Sequence, residues 1–333
     1  MSVDSTIKYI PLKDRSPLPP YPNGWMGIAD ATEVPDDKVL PVFYCGLSLI
    51  VYRHADGEAQ VASAYCPHLG AHLASLDGGK VVDGTVVCPF HGWQFSGKEG
   101  ACSDIPYANN IPSSKPGLTL YPTREVNGIV LFWFHAGGAE PAFEPIGRPN
   151  LDSGGYTLHT SMEPRFAHSP TLDMLENIFD GAHVEYMHES LFLSPDSINV
   201  QEHRLYATFN MEASAEYGGI PLKKLDLQAE GITFNTLCYE GIGFELIIIS
   251  SYTPVDEEST EIRLRFYTRF DNPAIEKEAT GLIDGMVQEY IHQIDRDILI
   301  WNHKKYESRP QLCDGDGVIH KIRKYGYQFY AGI

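Results

Sequence analysis

Two short stretches, CPHLGAHLAS (residues 66–75) and CPFHGWQF (residues 88–95), each place one cysteine close to one histidine. The ligand pairs are Cys66 with His68 and Cys88 with His91, and 19 residues separate the two pairs. Thiolate and imidazole groups at such spacing bind either zinc or an iron–sulfur cluster. Zinc fingers usually supply two cysteines and then two histidines, whereas here each loop supplies one of each. This arrangement favours a [2Fe–2S] cluster in which one iron takes both cysteines and the other takes both histidines.

The residues around these pairs support a cluster site. Gly92 lets the backbone pass close to a cluster, and Trp93 shields it from water, which tunes its reduction potential. We interpret His72 as a nearby polar residue that is not a ligand, and Cys102 as a small buried thiol. The six cysteines are few and irregularly spaced, so metal or redox chemistry is expected in preference to a disulfide framework.

Composition and charge limit the class of protein. The chain has 333 residues, of which 43% are hydrophobic, so it can bury a large core and is long enough for roughly two domains. A formal net charge of -19 and a pI near 5.0 argue against binding to nucleic acid. The longest apolar runs are far shorter than the roughly 18 residues that cross a bilayer, and no signal-peptide pattern is present. We therefore expect a cytoplasmic protein with no membrane span.

The order of strand and helix patterns predicts an α+β protein with two domains. After an N-terminal arm (1–23), short β-rich segments separated by Gly, Asp and Asn turns predict an all-β domain over residues 24–138. The Gly- and Pro-rich segment 135–155 marks the boundary, and residues 139–333 form the second domain. Strand candidates there, at 232–239, 244–250 and 261–270, precede a helix at about 274–305, which predicts an antiparallel sheet packed against a long C-terminal helix.

Two local patterns give finer expectations for the second domain. A helix is predicted at 170–188, with Ser169 as its N-cap and Pro170 at the first helical position. In the strand 261–270, apolar residues alternate with Arg263 and Arg265, as expected for a sheet that is covered on one face only.

A second group of candidate ligands lies in ENIFDGAHVEYMH (176–188), which contains Asn177, Asp180, His183 and His188. Two histidines and one carboxylate with open positions form the facial triad of non-haem Fe(II) oxygenases. Histidines five residues apart on an ideal helix differ by about 140° in direction. They converge on one ion only if the helix ends or distorts nearby, which a glycine at 181 permits. Without a third ligand, a helix with two unrelated histidines is an equally good interpretation.

The C-terminal helix offers two aspartates as the third ligand, and helical phase separates them. With Leu282 set at 0° and a turn of about 100° per residue, Asp297 falls near 60°, within the apolar stripe of the helix. Asp295 falls near 220°, on the polar side. A carboxylate in an apolar stripe is costly unless it is paired or bound to metal. We therefore predict Asp297 as the ligand and Asp295 as a solvated surface residue.

With both sites in this order, about 280 residues of the chain resemble the α-subunits of Rieske non-haem iron oxygenases, and most of all the group of Neverland-type cholesterol 7-desaturases and 3-ketosteroid 9α-hydroxylases. The resemblance implies a helix-grip, START-like catalytic domain. The gap of 19 residues is slightly long for these relatives, so the loop 75–84 is expected to be extended. Ala71 and Phe90 stand where quinol-oxidising Rieske proteins carry a disulfide, so no loop disulfide is expected.

The resemblance also implies roles for individual residues. The cluster ligands are Cys66, His68, Cys88 and His91, with Trp93 beside them, and the mononuclear Fe(II) ligands are His183, His188 and Asp297. Asp180 corresponds to the aspartate that links the cluster of one subunit to the iron of its neighbour, and Asn177 is a further catalytic candidate.

The resemblance implies an oxygenase component that uses O2 and electrons to hydroxylate, desaturate or oxidatively demethylate an apolar, steroid-like substrate. No nucleotide-binding fingerprint follows a strand in the chain, so an NAD(P)H-dependent reductase, with or without a ferredoxin, must supply the electrons. A homotrimer is expected. Three alternatives remain open: an oxygenase for an aromatic or other small hydrophobic substrate, an electron carrier with a degenerate second domain, and a zinc-dependent binding module.

Overall fold

The computed structural model describes residues 7–96, 98–151, 153–189, 194–210, 216–217 and 220–332. It divides into two compact units, one of Trp25–Pro145 and one of Met1–Gly24 with Ile146–Ile333. The division lies within the Gly- and Pro-rich segment 135–155. Residues 1–6 of the predicted N-terminal arm lie outside the described residues, and the rest of the arm belongs to the unit that contains the C-terminal part of the chain.

The N-terminal arm is fixed to its unit by one buried arginine. Helix α1 (Leu12–Arg15) ends at Arg15, whose guanidinium is buried and donates hydrogen bonds to the backbone carbonyls of Trp301 (3.2 Å), Lys304 and His168. A guanidinium offers five donors in a rigid fork, so one side chain can join several segments.

The unit Trp25–Pro145 is the predicted all-β domain. Its described strands form three small sheets, of which β2-β3-β4-β9 and β5-β6-β7-β8 carry the two Cys/His loops at the ends of β4 and β6. The strands and one short helix are β1 (Gly24–Asp30), β2 (Leu40–Tyr44), β3 (Leu47–Arg53), β4 (Ala59–Ser63), α2 (Ser75–Gly78), β5 (Lys80–Val82), β6 (Thr85–Val87), β7 (Gln94–Ser96), β8 (Ala101–Asp104), β9 (Leu120–Tyr121), β10 (Thr123–Val126) and β11 (Ile129–Phe134). The segment 75–84, expected as an extended loop, instead forms α2 and β5.

The other unit confirms the predicted antiparallel sheet and long C-terminal helix. Among the residues that the structure describes, nine strands form a sheet in the order β12-β20-β19-β18-β17-β15-β14, with β13 paired to β20 and β16 to β17, and helix α5 packs on β19 and β20. The elements are β12 (Thr157–Ser161), β13 (Arg165–Ala167), α3 (Thr171–Ile178), α4 (Gly181–His188), β14 (Ser197–Gln201), β15 (Arg204–Asn210), β16 (Glu216–Tyr217), β17 (Ile220–Glu230), β18 (Phe234–Gly241), β19 (Phe244–Pro254), β20 (Thr260–Phe270), α5 (Pro273–Trp301) and α6 (Ile319–Tyr327). Among the described residues, no helix is both long and apolar enough to cross a membrane.

One side of this sheet faces the helices, and we call it the helix-facing side. Phe266 on β20 contacts Tyr290 on α5 (ring centroids 6.1 Å apart), and Phe209 on β15 contacts Phe179 after α3 (6.4 Å). Register extends this side across the sheet, because directly paired residues point the same way. Its apolar, buried members include Leu205, Ala207, Leu225, Leu227, Ala229, Leu237, Leu246, Ile248, Ile262 and Leu264.

Three local predictions were wrong. The segment 170–188 is two helices, broken at Phe179–Asp180, and its N-cap is Pro170; the hydroxyl of Ser169 instead donates to Asp173 Oδ2 (3.1 Å). The C-terminal helix ends at Trp301, four residues before the predicted end. The second side of the sheet is also covered at β20, because Arg265 is 5% exposed and donates to the Tyr267 hydroxyl (2.9 Å).

A buried ionic network holds α3 against α6 and the chain after α5. Glu176 pairs with Arg323 (Nη2 to Oε1, 3.1 Å), and Lys304 pairs with Asp173 (3.1 Å). Arg323 also lies over the ring of Tyr306, 4.6 Å from its centroid. Both members of the Glu176–Arg323 pair are buried, so each neutralises a charge that would otherwise be stranded away from water.

We expect Glu176→Ala to lower the free energy of unfolding of this unit by about 3–5 kcal/mol, because it leaves the Arg323 guanidinium buried without its carboxylate. Urea or guanidinium denaturation followed by circular dichroism measures the loss. Glu278→Ala, at an exposed position of α5, is the control and should change stability by less than about 0.5 kcal/mol. Equal stability of the two variants would show that the buried pair contributes nothing.

Candidate metal centres

The two Cys/His loops have the same backbone hydrogen bonds. The amide of each cysteine donates to the carbonyl oxygen five residues later, at 2.9 Å for Cys66 and 2.8 Å for Cys88. The cysteine carbonyl accepts from the glycine four residues later, Gly70 or Gly92, at 3.0 Å in both loops. Both glycines have positive φ, 74° and 72°, a region that favours glycine. The repeated C-P-x-x-G sequence therefore builds two equivalent tight turns, each presenting one thiol and one imidazole.

The predicted cluster ligands lie together in this unit. The ring centroids of His68 and His91 are 4.8 Å apart. Within the described part of the chain, Nδ1 of each ring is buried and has no hydrogen-bond partner. Buried ring nitrogens normally have partners, so both atoms fit ligands whose partner is a metal.

The cysteine thiols complete this donor set. Burial and the adjacent Cys88 thiol together raise the pKa of the Cys66 thiol to about 11. Both side chains are buried, at 2% exposure each. The thiolates needed by a cluster would be unfavourable here without the positive charge of bound metal. These residues therefore fit a [2Fe–2S] cluster.

Three residues beside the predicted cluster ligands have defined surroundings. Trp93 is buried and stacks on the ring of His68 (centroids 4.4 Å apart, 10° between planes), and its Nε1 donates to the Tyr107 hydroxyl (2.8 Å). His72 Nδ1 accepts from the backbone amide of Ala74 (3.2 Å), so it is engaged locally. Cys102 is buried, with its Sγ 3.7 Å from the Asp104 carbonyl oxygen.

We expect His91→Cys to keep a cluster-type visible spectrum and to lower the reduction potential toward about -400 mV, because a thiolate gives the cluster more negative charge than a neutral imidazole does. Spectroelectrochemical titration measures the potential. His72→Asn is the control, because it leaves all four predicted ligands in place and should keep the wild-type potential. A wild-type potential in His91→Cys would contradict the assignment of His91 as a ligand.

The second predicted site is built where the α3–α4 segment breaks. Asp180 is the N-cap of α4, and its side chain accepts from the His183 amide (3.3 Å). The backbone carbonyl oxygen of Asp180 lies 2.5 Å from Nδ1 of the His183 ring. Because this carbonyl can only accept, Nδ1 carries the proton and Nε2 keeps its lone pair. The break thus fixes the tautomer that a metal ligand needs.

The helical break brings His183 and His188 onto one centre with Asp297. Each of the three residues offers one ligand atom, and these atoms lie within 4.8 Å of one another, close enough to hold one metal ion. His188 Nε2 is 2.9 Å and His183 Nε2 is 3.8 Å from Asp297 Oδ1. Ligands at right angles with bonds of about 2.1 Å would be about 3 Å apart, so the donor set fits one iron.

The two aspartates of α5 differ as their helical phase predicts. Asp297 is buried, with 4% of its surface exposed. The Asp295 side chain is 44% exposed and pairs with Arg165 at 2.8 Å. Of the two, only Asp297 lies among the predicted metal ligands.

Asn177 lies at the same centre. Its Nδ2 is 3.0 Å from His183 Nε2 and 3.0 Å from Asp297 Oδ2. An amide nitrogen carries two hydrogens, so it can donate to both of these lone pairs. His183 Nε2 has a single lone pair, so the hydrogen bond from Asn177 and a bond to iron exclude each other at that atom. Asn177 can keep its hydrogen bond to the Asp297 carboxylate, and it lies within reach of anything bound between the ligands.

The sequence did not reveal a group of polar residues on the helix-facing side of the sheet. Asn235, Ser250 and Tyr252 lie there, all buried. A polar residue at alternate positions of a strand normally indicates the solvent side, so no sequence signal marked them.

Comparison with known proteins agrees with both sites. Residues 24–115 match the Rieske [2Fe-2S] domain, and residues 132–330 match the 3-ketosteroid 9alpha-hydroxylase C-terminal domain. The fold and the two sites thus define a Rieske-type oxygenase, an oxidoreductase whose cofactors are a [2Fe–2S] cluster and a mononuclear iron. Within that class, the chain belongs to the family of the 3-ketosteroid 9α-hydroxylase C-terminal domain. The zinc module and the lone electron carrier are therefore rejected.

Several relatives align over almost the whole chain. The cholesterol 7-desaturase of Xenopus laevis is 30% identical, covering 94% of this chain and 73% of that protein. The probable 3-ketosteroid-9-alpha-monooxygenase, oxygenase component, of Rhodococcus rhodochrous is 26% identical over 94% of this chain and 81% of that protein. Dicamba monooxygenase bound to dicamba has a TM-score of 0.69 at 18% identity, over 92% and 97% of the two chains, and shares the fold.

Proposed function

We propose that this chain is the terminal oxygenase component of a monooxygenase system that hydroxylates, desaturates or oxidatively demethylates an apolar, steroid-like substrate. The observation that carries the proposal is the His183–His188–Asp297 group, which belongs to the same unit as the apolar helix-facing side of the sheet. The names of the cholesterol 7-desaturases and the 3-ketosteroid monooxygenase component support a steroid. The oxidised position depends on placement over the iron.

In this proposal Cys66, His68, Cys88 and His91 hold the cluster, and His183, His188 and Asp297 hold the iron. The cluster would deliver electrons one at a time, and the iron would supply the O2 chemistry. The chain's own residues supply positioning. The backbone carbonyl of Asp180 holds the proton on Nδ1 of His183, and Asn177 orients the Asp297 carboxylate.

The proposed electron source is an NAD(P)H-dependent reductase, with or without a ferredoxin, in the cytoplasm. The name of the Rhodococcus relative, an oxygenase component, supports a system of several proteins. The acidic charge of -19 suits a docking face for a basic redox partner.

We also propose a homotrimer in which Asp180 links the iron of one subunit to the cluster of the next. Two exposed surfaces support it. Around the cluster ligands, Leu69 is 67% and Phe90 is 62% exposed, and on α4 Tyr186 is 92% exposed. The Asp180 side chain is 37% exposed, so its carboxylate can reach a neighbour. Two different exposed surfaces on one chain give head-to-tail contacts, which close into a ring when the rotation allows.

A turnover screen tests the substrate class. The iron-loaded protein is supplied with a surrogate reductase, NADH and O2, and offered a sterol, a ketosteroid and a set of aromatic acids. Mass spectrometry then identifies products. We expect oxidation of a steroid alone, coupled to NADH use. Oxidation of an aromatic acid with none of the steroids would contradict the proposal. Light scattering on the same preparation reports the trimer.

A further inference from the structure

One polar cluster interrupts the apolar helix-facing side of the sheet. Asn235 on β18 is paired directly with Ser250 on β19, and Tyr252 follows two residues later on β19. Because alternate residues of a strand point the same way, all three side chains face the helices. Along the strands the neighbours on this side are apolar, with Leu237 next on β18 and Leu264 opposite Ser250 on β20.

The polar atoms of this cluster are buried and incompletely paired. Asn235 has no exposed surface, and neither its Nδ2 nor its Oδ1 has a hydrogen-bond partner among the described residues. Ser250 is equally buried, and its Oγ also lacks a partner of normal geometry in that part of the chain. Folded proteins pair nearly all such atoms with protein, water or ligand. An oxygen from outside the chain is therefore expected between them.

The cluster lies beside the proposed iron site. Burial raises the pKa of the Tyr252 phenol to about 12; the Ser250 hydroxyl lowers this pKa, and the Asp297 carboxylate raises it. The phenol is therefore within electrostatic reach of one predicted iron ligand and close to the Ser250 hydroxyl. The contacts of α5 agree with this placement. Tyr290 lies against Phe266 of β20, Asp297 follows about two turns later on α5, and Tyr252 is paired with Ile262 of β20 on the same side of the sheet.

The chemistry of the unpaired atoms selects the group they bind. The Asn235 amide offers a donor and an acceptor side by side, and the Ser250 hydroxyl can either donate or accept a hydrogen bond. A substrate hydroxyl can accept from Nδ2 while donating to Oδ1, whereas a ketone can only accept and leaves Oδ1 unpaired. We propose that Asn235 and Ser250 anchor a hydroxyl group of the substrate, so that the enzyme acts on a hydroxysteroid in preference to a ketosteroid. This inference rests on the proposed function, whose substrate class it narrows.

Without substrate, a buried water can pair the polar atoms of this cluster. A buried water needs two to four polar partners, which this cluster provides within an apolar surface. A hydroxyl group reproduces the hydrogen bonds of that water when it displaces it, so binding loses no pairing. A ketone or a hydrocarbon would displace the same water without replacing all of its bonds.

The experiment measures equilibrium binding to the iron-loaded full chain, without reductant, so that no turnover occurs. The probes are a 3-hydroxysteroid, the matched 3-ketosteroid and the 3-deoxysteroid of the same skeleton. Asn235→Leu is the test variant, because leucine has nearly the same size and neither hydrogen-bonding group. Thr236→Val is the control, because this buried neighbour on β18 points to the other side of the sheet. Thermal unfolding is recorded for both variants.

In the wild-type protein we expect the hydroxysteroid to bind at least about tenfold more tightly than the ketosteroid and about a hundredfold more tightly than the deoxysteroid. Asn235→Leu should weaken binding of the hydroxysteroid by about 10- to 100-fold and leave the affinity for the deoxysteroid within about twofold of the wild-type value. Its unfolding temperature should be unchanged or higher, because an unpaired buried amide has been removed. Thr236→Val should keep the wild-type preferences.

The contrary outcomes are distinct. Wild-type binding of all three steroids with equal affinity, or tighter binding of the ketosteroid, would overturn the anchor and leave the steroid class standing. If Asn235→Leu lost affinity for all three steroids by the same factor, the anchor would also be overturned. Binding of none of the three would overturn the proposed substrate class, and the anchor with it.

Discussion

Asp297→Ala should abolish turnover while leaving the cluster spectrum intact. The variant removes one of three ligands from a buried site, so two histidines alone must retain the iron. We expect iron to fall from about three to about two per chain, since a [2Fe–2S] cluster accounts for two. Losing the metal removes several kcal/mol of transition-state stabilisation, so turnover should fall by on the order of a thousandfold or more. Iron analysis and oxygen-uptake assays measure both effects.

Asp295→Ala is the matched control on the same helix. Its carboxylate is 44% exposed and pairs with Arg165, a type of ion pair that contributes about 0–1 kcal/mol. This variant should keep about three irons per chain and wild-type turnover. Equal iron loss in both variants, or loss only at Asp295, would contradict the assignment of Asp297.

Asp180→Asn should keep both metal centres yet lose most turnover. Asparagine caps helices as well as aspartate does, and the His183 ring is held by the backbone carbonyl of residue 180, which the substitution leaves in place. What disappears is the negative charge on a half-exposed side chain. If that carboxylate joins histidines of two subunits, an amide cannot accept from both, and electron delivery should slow by about 10- to 100-fold or more.

Single-turnover kinetics separate this effect from a loss of iron. Reduced protein is mixed with substrate and O2, and the rate of cluster oxidation is followed by its absorbance. Glu185→Gln, an exposed charge removal on the same helix, is the control and should keep the wild-type rate. A wild-type rate in Asp180→Asn, or full activity in a monomer, would remove the route between subunits.

Short-range rules explain what the sequence could predict. The turns at Cys66 and Cys88 depend on a repeated local pattern with glycine four residues later, and the burial of Asp297 follows from helical phase along one helix. The two histidines required a distortion near Gly181, and the helix breaks at Phe179–Asp180. Each of these features is decided by residues close together in the chain.

Long-range packing explains what the sequence could not predict. Arg265 alternates with apolar residues like a solvent-facing side chain, but it is buried, and the alternation within the strand does not show this. Asn235 lies between Phe234 and Thr236 in a strand of mixed polarity, and only the register with Ser250 shows which side it faces. The Glu176–Arg323 pair joins residues 147 positions apart. No pattern within one short stretch of sequence shows which distant residues will pack against it.

The attachment of Arg15 to Trp301 has a consequence for synthesis on the ribosome. The unit Trp25–Pro145 is contiguous in sequence, so it can fold as soon as it has emerged. The other unit is discontinuous, and its first segment must wait for α5 before Arg15 can reach the Trp301 carbonyl. The smaller unit is thus an insertion that folds early, whereas the iron-binding unit closes late. Nascent chains stalled before residue 301 should therefore protect the Cys/His loops from proteolysis while leaving the N-terminal arm open to cleavage.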